Sequence, residues 1–228
     1  MADLPQIMNA NLPMSLNTQT AFPWLSLIVL LPAMGALIMP FLPAQENNSK
    51  NLPRNISLVI LLADFFIIVG ALVNLFDPNS ESLQLVERLQ WLPSIGLEWS
   101  LGVDGISAPL VVLSGLITLL SAAASWKVKQ KTRLYFALLL IQASAQALVF
   151  LSQDFLLFFL AWELELVPVY LLIAIWGGKR KLYAATKFIL YTALASLLIL
   201  ISGLALALSG DQFTFNLSEI AAKSFTGN

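Results

Sequence analysis

Two residue types are missing from the sequence, whose 228 residues include no cysteine and no histidine. The absence of cysteine excludes a disulfide framework, a thiolate metal site and a cysteine-ligated iron–sulfur cluster from this chain. The absence of histidine excludes ordinary haem ligation, histidine zinc sites and catalysis of the Ser–His–Asp type. Chemistry in this chain therefore depends on other side chains.

Charged residues are also scarce. They make up 11% of the sequence, whereas soluble domains carry about 25%. Hydrophobic residues make up 58%, which is more than the interior of a soluble fold of this size can hold. The net charge is −1 and there is no basic stripe of the kind that binds nucleic acid. The composition thus favours a membrane protein and no nucleic-acid partner.

Six apolar runs account for this composition, and each is long enough to cross the roughly 30 Å hydrocarbon core as a helix. They lie at about 22–42, 54–76, 106–126, 134–151, 155–176 and 184–208. The first run lacks a basic n-region and an obvious cleavage site and is longer than a signal-peptide core, so we interpret it as a retained span. We predict an all-α polytopic membrane protein with a transmembrane bundle over 22–208, an N-terminal segment over 1–21 and a tail over 209–228.

The connections between the spans predict how they are arranged. Only Ser152, Gln153 and Asp154 separate the fourth and fifth spans, which must be antiparallel neighbours, and Asp154 is placed to interact with the helix dipole. The loop between the second and third spans alternates in polarity from Leu97 to Val103, with Leu97, Trp99 and Leu101 on one face, after a Pro93–Gly96 turn signal. This pattern predicts a β-hairpin over 83–103 on the membrane surface. A short interfacial helix is predicted over 218–225.

The distribution of lysine and arginine predicts the orientation. Nine basic residues lie in the loops after the first, third and fifth spans, whereas only Arg88 and Lys223 lie on the opposite side. Because basic loops stay on the cytoplasmic side, the N-terminus, the hairpin and the tail are predicted to face the periplasm or lumen.

Four ionisable residues lie inside the spans, and such residues cost about 2.5–3.5 kcal/mol each to insert, so they mark candidate sites. Glu163 is the foremost candidate, because it lies roughly 13 Å into the fifth span, where burial penalises the ionised carboxylate unless a cation is near. Glu165 points about 200° away around the same helix. Lys187 lies about one turn inside the sixth span, where either a functional role or snorkelling to the interface fits. Asp64, midway in the second span, is expected to make a polar contact between helices.

Three uncharged residues in the spans are also of interest. Pro168 either kinks the fifth span or breaks it beside a polar cavity, by freeing the carbonyl of Leu164. Gln142 and Gln146, one turn apart in the fourth span, are expected to hold water or to bond to a neighbouring helix. Taken together, the buried carboxylates and the buried lysine indicate a proton or ion pathway.

Several segments resemble one known family. These are FPWLSLIVLLPA, QLVERLQW, WSLGVDGISAPLVVLSG and SQDFLLFFLAWELELVPVYLLIAIWGGKRKLYAATKFILYT. They are similar to the antiporter-like, proton-translocating subunits of complex I, and most of all to the chain 4 subunits of the cyanobacterial and chloroplast NDH complex. Members of that family are considerably longer than this chain, which resembles their N-terminal part.

The resemblance implies a role in energy conversion. The complex passes electrons from ferredoxin to plastoquinone and couples this transfer to proton pumping in the thylakoid membrane. The chain is expected to carry no cofactor, because the iron–sulfur clusters and the plastoquinone site lie elsewhere in the complex. Its expected partners are homologous antiporter-like subunits, other membrane-arm subunits and the lipid bilayer. Glu163 matches the family's essential glutamate and Lys187 its helix-six lysine, whereas Glu165 is typical of the photosynthetic members.

Two alternatives remain open on the sequence. One is an Mrp-type cation/proton antiporter subunit, whose family shares the helix-five glutamate. The other is a purely structural membrane-arm subunit in which the buried charges only hold neighbouring helices together.

Overall fold

The computed structural model describes residues 17–18, 22–42, 51–80, 82–209 and 213–222. Over these residues the chain forms a bundle of six long apolar helices and a small antiparallel sheet, which confirms the predicted fold class. The long helices are α1 Trp24–Ile38, α2 Leu52–Leu75, α3 Ser107–Ala124, α4 Thr132–Leu151, α5 Phe155–Trp176 and α6 Lys181–Leu208. A 3-10 turn extends α1 to Phe41 and another extends α3 to Lys127, so every span begins and ends within three residues of its predicted limits.

Helix α4 lies at the centre of the bundle, since it packs against α1, α2, α3 and α5. In the α4 span 61% of the residues are buried, whereas in the α6 span only 11% are. Helix α6 packs on α5 and leaves most of its surface uncovered by the described chain. Close approach of helices depends on small residues, as where Gly35 of α1 meets the side chains of Ile60 and Leu140.

The hairpin is formed by β2 (Gln84–Leu92) and β3 (Leu97–Val103), which pair antiparallel around a 3-10 turn at Pro93–Ile95. Gly96 closes this turn with a φ of 71°, in the left-handed region that favours glycine. Leu97 and Leu101 are buried on the predicted inner face, and the indole of Trp99 donates a hydrogen bond to Ser26 Oγ. The β-hairpin predicted over 83–103 is therefore present from Gln84 to Val103, and its place at the membrane surface stays a prediction.

The sheet has a third strand that the sequence did not predict. This strand, β1 (Asn17–Thr18), pairs antiparallel with β2 opposite Glu87 and Arg88. It belongs to the predicted N-terminal segment, and most of that segment lies outside the described residues.

The end of the bundle that carries the hairpin also holds the tail. The backbone N–H of Gln153 donates to Ser100 O of β3 at 2.8 Å, and the N–H of Phe155 donates to Phe215 O at 2.8 Å. The tail continues as helix α7 (Leu217–Ala222), which is the described part of the helix predicted over 218–225. We call this the hairpin end of the bundle, and the opposite end, with the loops after α1, α3 and α5, the basic end.

The apolar core is divided into two clusters. One, at the hairpin end, contains Ile68 of α2, Val111 of α3 and Ala147 of α4 together with residues of β3. The other, at the basic end, contains Leu61 of α2 and Ala122 of α3 together with residues of α1 and α4. The boundary between the two clusters therefore lies near the middle of the bundle.

Candidate functional site

Glu163 is part-buried on α5, and one of its carboxyl oxygens is buried without a described hydrogen-bond partner. It follows the first residue of α5, Phe155, by eight positions, which places it about 12 Å from the hairpin end of that helix. Its Oε1 atom is buried and has no hydrogen-bond partner among the described residues. The indole nitrogen of the preceding residue, Trp162, is also buried without a described partner. Since buried polar groups are normally paired, these atoms identify a place where water or a further polar group completes the site.

Glu165 faces a different helix. Its Oε1 accepts a hydrogen bond of 2.6 Å from Gln142 Nε2 of α4, so Gln142 bonds to a neighbouring helix as the sequence indicates. Because Glu163 projects about 200° away around α5, the two carboxyls serve different sides of the helix. The Oε1 atom of Gln142 is buried and has no described partner, so this pair too has an acceptor left unsatisfied.

Lys187 lies on the uncovered face of α6. Its ammonium is 5.9 Å from the ring centroid of Tyr183 and 5.7 Å from that of Tyr191, one turn before and one turn after it. Cation–π contacts of this kind hold an ammonium without consuming its hydrogen-bond donors. The structure therefore does not bring the ammonium of Lys187 to Glu163. The ammonium lies instead on the face of α6 that the described chain leaves exposed.

Asp64 is the most deeply buried charged residue of the spans, with 4% of its surface exposed. Its Oδ1 atom has no hydrogen-bond partner among the described residues, so the helix–helix hydrogen bond expected for Asp64 is not formed by this atom. The residue belongs to the buried stripe of α2 and points into the bundle.

Pro168 does not break α5. The helix runs without interruption from Phe155 to Trp176, and Pro168 is buried within it. The prediction of a helix broken beside a cavity is therefore wrong for these residues. Pro168 is a proline within a continuous membrane helix.

Two carboxylates at the hairpin end accept hydrogen bonds from backbone N–H groups at the N-termini of helices. Asp154, which the sequence places to interact with the helix dipole, also caps α5 by accepting a hydrogen bond of 2.8 Å from the N–H of Leu157. Burial raises the pKa of Asp154, although the hydrogen bonds that it accepts act in the opposite direction. Asp104, which accepts from the N–H groups of Ser107 and Ile106 at the start of α3, is exposed, and these bonds lower its pKa.

Sequence reasoning missed Glu87 of β2. This residue is 1% exposed and caps α1, and burial is the main reason that its pKa is raised. Two signals in the sequence point to it. The segment Phe22-Pro23-Trp24 offers α1 no side-chain cap, and Glu87 occupies the same face of its strand as the buried Leu85.

Comparison with known proteins identifies the family of the chain. Residues 27–152 match the family model "NADH-ubiquinone oxidoreductase chain 4, amino terminus", and residues 152–227 match the model "NADH:quinone oxidoreductase/Mrp antiporter, TM". The chain is 54% identical over 209 residues to NAD(P)H-quinone oxidoreductase chain 4 1 of Synechococcus elongatus. This alignment covers 92% of the chain but only 39% of that protein, so the chain spans about two fifths of the length of the curated relative.

Solved structures show the same fold at lower sequence identity. A chain of respiratory complex I from Thermus thermophilus superposes with a TM-score of 0.74 at 24% identity, covering 87% of this chain and 39% of that one. A chain of the Mrp complex from Dietzia sp. superposes with a TM-score of 0.69 at 21% identity, covering 87% of this chain and 21% of that one. The first family model covers more than half of the sequence, and the chain therefore belongs to the NADH-ubiquinone oxidoreductase chain 4 family.

Proposed function

We propose that this chain is a proton-translocating membrane-arm subunit of a photosynthetic complex I, in which electron transfer from ferredoxin to plastoquinone is coupled to proton pumping. The observation that carries the proposal is Glu163, a carboxyl about 12 Å deep in the bundle whose Oε1 is buried without a described partner. An intramembrane carboxyl that is expensive to insert and has no structural hydrogen bond at this oxygen fits a group that gains and loses a proton.

Each side chain has a proposed part in the mechanism. Glu163 binds and releases the proton, and its ionised form requires a nearby cation. Lys187 supplies that cation when a covering element moves its ammonium from the tyrosine rings toward Glu163, and the described residues form no direct salt bridge between the two at rest. Glu165, which is held by Gln142, has a smaller part.

The proposed setting follows from relatives and from charge. The relative with 54% identity comes from a cyanobacterium, and the nine basic residues of the basic end indicate a cytoplasmic or stromal side. We infer a multi-pass location in a thylakoid membrane, with the N-terminus and the hairpin in the lumen. Homologous antiporter-like subunits and other membrane-arm subunits are the proposed partners, and other subunits hold the iron–sulfur clusters and the plastoquinone site.

Measurement of proton uptake by the Glu163→Gln variant tests the proposal. Glutamine keeps the shape and much of the hydrogen bonding of glutamate but does not titrate. In vesicles that hold equal amounts of assembled complex, a quenched dye reports proton uptake while ferredoxin–plastoquinone electron transfer is followed separately. We expect Glu163→Gln to lose most uptake and to keep more of the electron transfer, and Glu165→Gln to lose less uptake.

Glu98→Gln is the matched control, since Glu98 lies on the hairpin outside the spans. Normal uptake by Glu163→Gln combined with loss by Glu165→Gln would reverse the roles of the two carboxyls. If all three variants pump normally, the buried charges are structural and the proposed function is wrong.

An Mrp-type cation/proton antiporter subunit is the second candidate, because the fold also matches a chain of an Mrp complex. The higher sequence identity to an NAD(P)H-quinone oxidoreductase chain supports the complex I branch instead. The chains that copurify with the protein separate the two. Hydrogenase-like and quinone-reducing subunits favour the first proposal, and a complex without redox subunits favours the second.

A further inference from the structure

Buried polar residues occupy the level at which the two apolar clusters meet. On each of α2, α3 and α4, one residue belongs to the cluster at the hairpin end, another to the cluster at the basic end, and a buried polar residue lies between them. On α5, the part-buried Glu165 lies between Ala161 and Leu172 of the two clusters, and its part-buried partner Gln142 is on α4. We call this set the midplane layer, and its members are Asp64, Ser114, Thr118, Gln142, Ser144 and Glu165.

Asp64 faces the centre of this layer. On α2, the side chain of Ile60 packs against Gly35 of α1, and the side chain of Phe65 packs against Gly115 of α3. Asp64 lies between these two directions, about 40° around the helix from Ile60 and 100° from Phe65. The space between α1 and α3 is occupied by α4, which contacts both helices. The carboxyl of Asp64 is therefore directed toward α4 and the interior of the bundle.

Within the described bundle, no cation faces Asp64 from the surrounding helices. Helices α1 and α3 contain no charged residue. The other charged residues of α2 and α4 are Arg54 and Arg133, and both lie in the first turn of their helix at the basic end. Arg54 is ten positions from Asp64 along α2, or about 15 Å. An ionised Asp64 would be an uncompensated buried charge, which is strongly unfavourable, so the residue carries its proton at rest.

The hydrogen bonds of the layer agree with a protonated Asp64. The hydroxyl of Thr118 donates to Ser114 O at 2.9 Å, that of Ser114 donates to Val111 O at 3.1 Å, and that of Ser144 donates to Val29 O at 2.7 Å. These hydroxyls have no proton left for a carboxylate, but their oxygens can accept one hydrogen bond more. A protonated carboxyl is a donor, so Asp64 in this form can bond to these hydroxyl oxygens, whose own protons are already used.

We propose that Asp64 is a further proton-carrying carboxyl of this chain and that it exchanges its proton with Glu165 through the midplane layer. In the exchange the O–H bond of Asp64 breaks and one forms on Glu165, so that one carboxylate replaces the other and the net charge of the layer does not change. The hydroxyls relay the proton together with water, which has room beside the buried Oε1 of Gln142 that lacks a described partner, and Gln142 holds Glu165 in place. The proposal rests on the proposed function, since it adds a branch to the pathway of Glu163.

Infrared difference spectroscopy of the assembled complex, containing the full-length subunit in membranes, tests the protonation state directly. We expect a C=O stretching band of a protonated carboxyl that is lost in Asp64→Asn, is displaced in Asp64→Glu and changes during turnover. In Glu165→Gln the band should be absent from the turnover difference spectrum, because Asp64 then has no partner with which to exchange its proton. A protonated-carboxyl spectrum that is the same in wild type and in assembled Asp64→Asn overturns the proposal.

Proton uptake in the same vesicles tests the coupling. Asp64→Asn and Glu165→Gln should each lose part of the uptake, and the double variant should lose no more than the larger single loss, because both act in one branch. Additive losses, or normal uptake by assembled Asp64→Asn, contradict the exchange. The proposed function fails separately, when Glu163→Gln and Glu165→Gln both pump normally, and the infrared band of Asp64 does not depend on that result.

A hydroxyl variant keeps the test valid if Asp64→Asn does not assemble. Thr118→Val removes a relay oxygen of the layer at nearly constant volume. Its matched control is Ser121→Ala, since Ser121 is exposed on the same helix and makes the same kind of bond, to Ile117 O at 2.7 Å. Uptake should fall in Thr118→Val and not in Ser121→Ala. Equal uptake in the two variants contradicts the relay.

Discussion

Glu87 Oε2 accepts two hydrogen bonds from Ser26, one from the backbone N–H at 2.9 Å and one from the hydroxyl at 2.6 Å. Its other oxygen accepts from the N–H of Leu25 at 2.7 Å. These N–H groups are at the start of α1, where Pro23 supplies no side-chain cap. A strand of the hairpin thus caps a transmembrane helix, and the indole of Trp99 completes the network by donating to Ser26 Oγ at 2.9 Å.

Replacement of Glu87 by alanine should detach the hairpin from α1. Two backbone N–H groups and a hydroxyl would lose a buried acceptor, at a cost of about 3 kcal/mol for charge-assisted bonds in a buried site. Limited proteolysis of the purified complex at the Pro93–Gly96 turn measures this, and cleavage should be faster in Glu87→Ala. The control is Glu98→Ala on the same hairpin, outside the hydrogen bonds that cap α1. Equal cleavage in the two variants would show that the cap does not hold the hairpin.

The cap should respond to pH. Burial raises the pKa of Glu87 above its ordinary value of 4.5, against the hydrogen bonds from Ser26 and Leu25. A carboxyl with a raised pKa in the folded state binds its proton more tightly there than in the unfolded state. Its contribution is therefore fully present below the unfolded value of 4.5 and is lost as the pH rises through the raised folded value.

Thermal unfolding of the complex measures this dependence in steps from neutral pH down to the ordinary carboxyl range. The melting temperature of wild type relative to Glu87→Gln should rise as the pH falls, since glutamine does not titrate. A difference that falls on acidification would mean that the ionised form is the one that stabilises the hairpin.

The junction of α5 and α6 should not tolerate a larger residue at Gly203. A Cβ atom there would overlap the ring of Phe155 at the start of α5, so Gly203→Ala should separate the two helices and lower the yield of assembled complex. Gly70→Ala is the control, because a Cβ atom at Gly70 of α2 meets nothing within 4 Å and alanine favours helix. Comparable yields for the two variants would show that Phe155 gives way without cost.

The orientation can be tested with single cysteines, because the chain has none of its own. Ser80 lies before the hairpin and Lys129 lies in the loop between α3 and α4. Ser80→Cys and Lys129→Cys should react with a membrane-impermeant thiol reagent from opposite sides of sealed vesicles, Ser80→Cys from the lumenal side. Labelling from the same side would contradict the orientation inferred from the basic residues.

The elements that local sequence determines were predictable. Each span is set by an unbroken apolar run, and the hairpin by period-two alternation around Gly96, because both patterns act through neighbouring residues. The bond between Gln142 and Glu165 was predictable only in part. The position of Gln142 in a span showed that it needs a partner but not which helix supplies it.

The remaining features depend on packing between distant segments. The sequence places Glu87 on the same strand face as Leu85, but it does not show that the start of α1 is the partner of Glu87. Asp64 reads as an isolated charge, because its level in the bundle is shared with residues of α3, α4 and α5 that no spacing in the sequence connects to it. Pro168 left two outcomes open in the sequence, and the structure shows that α5 is continuous through it.

The cap on α1 also constrains the order in which the parts of the fold are completed during synthesis. Leu25 and Glu87 are separated by 62 residues, so at translation rates of about 5–20 residues per second the helix is made roughly 3–12 s before its cap. During that interval α1 has emerged with unpaired N–H groups at its start, and α2 must already have crossed the membrane before the hairpin can reach them. The first helix of the chain is thus finished only after the second, by a segment that has to arrive on the correct side of the bilayer.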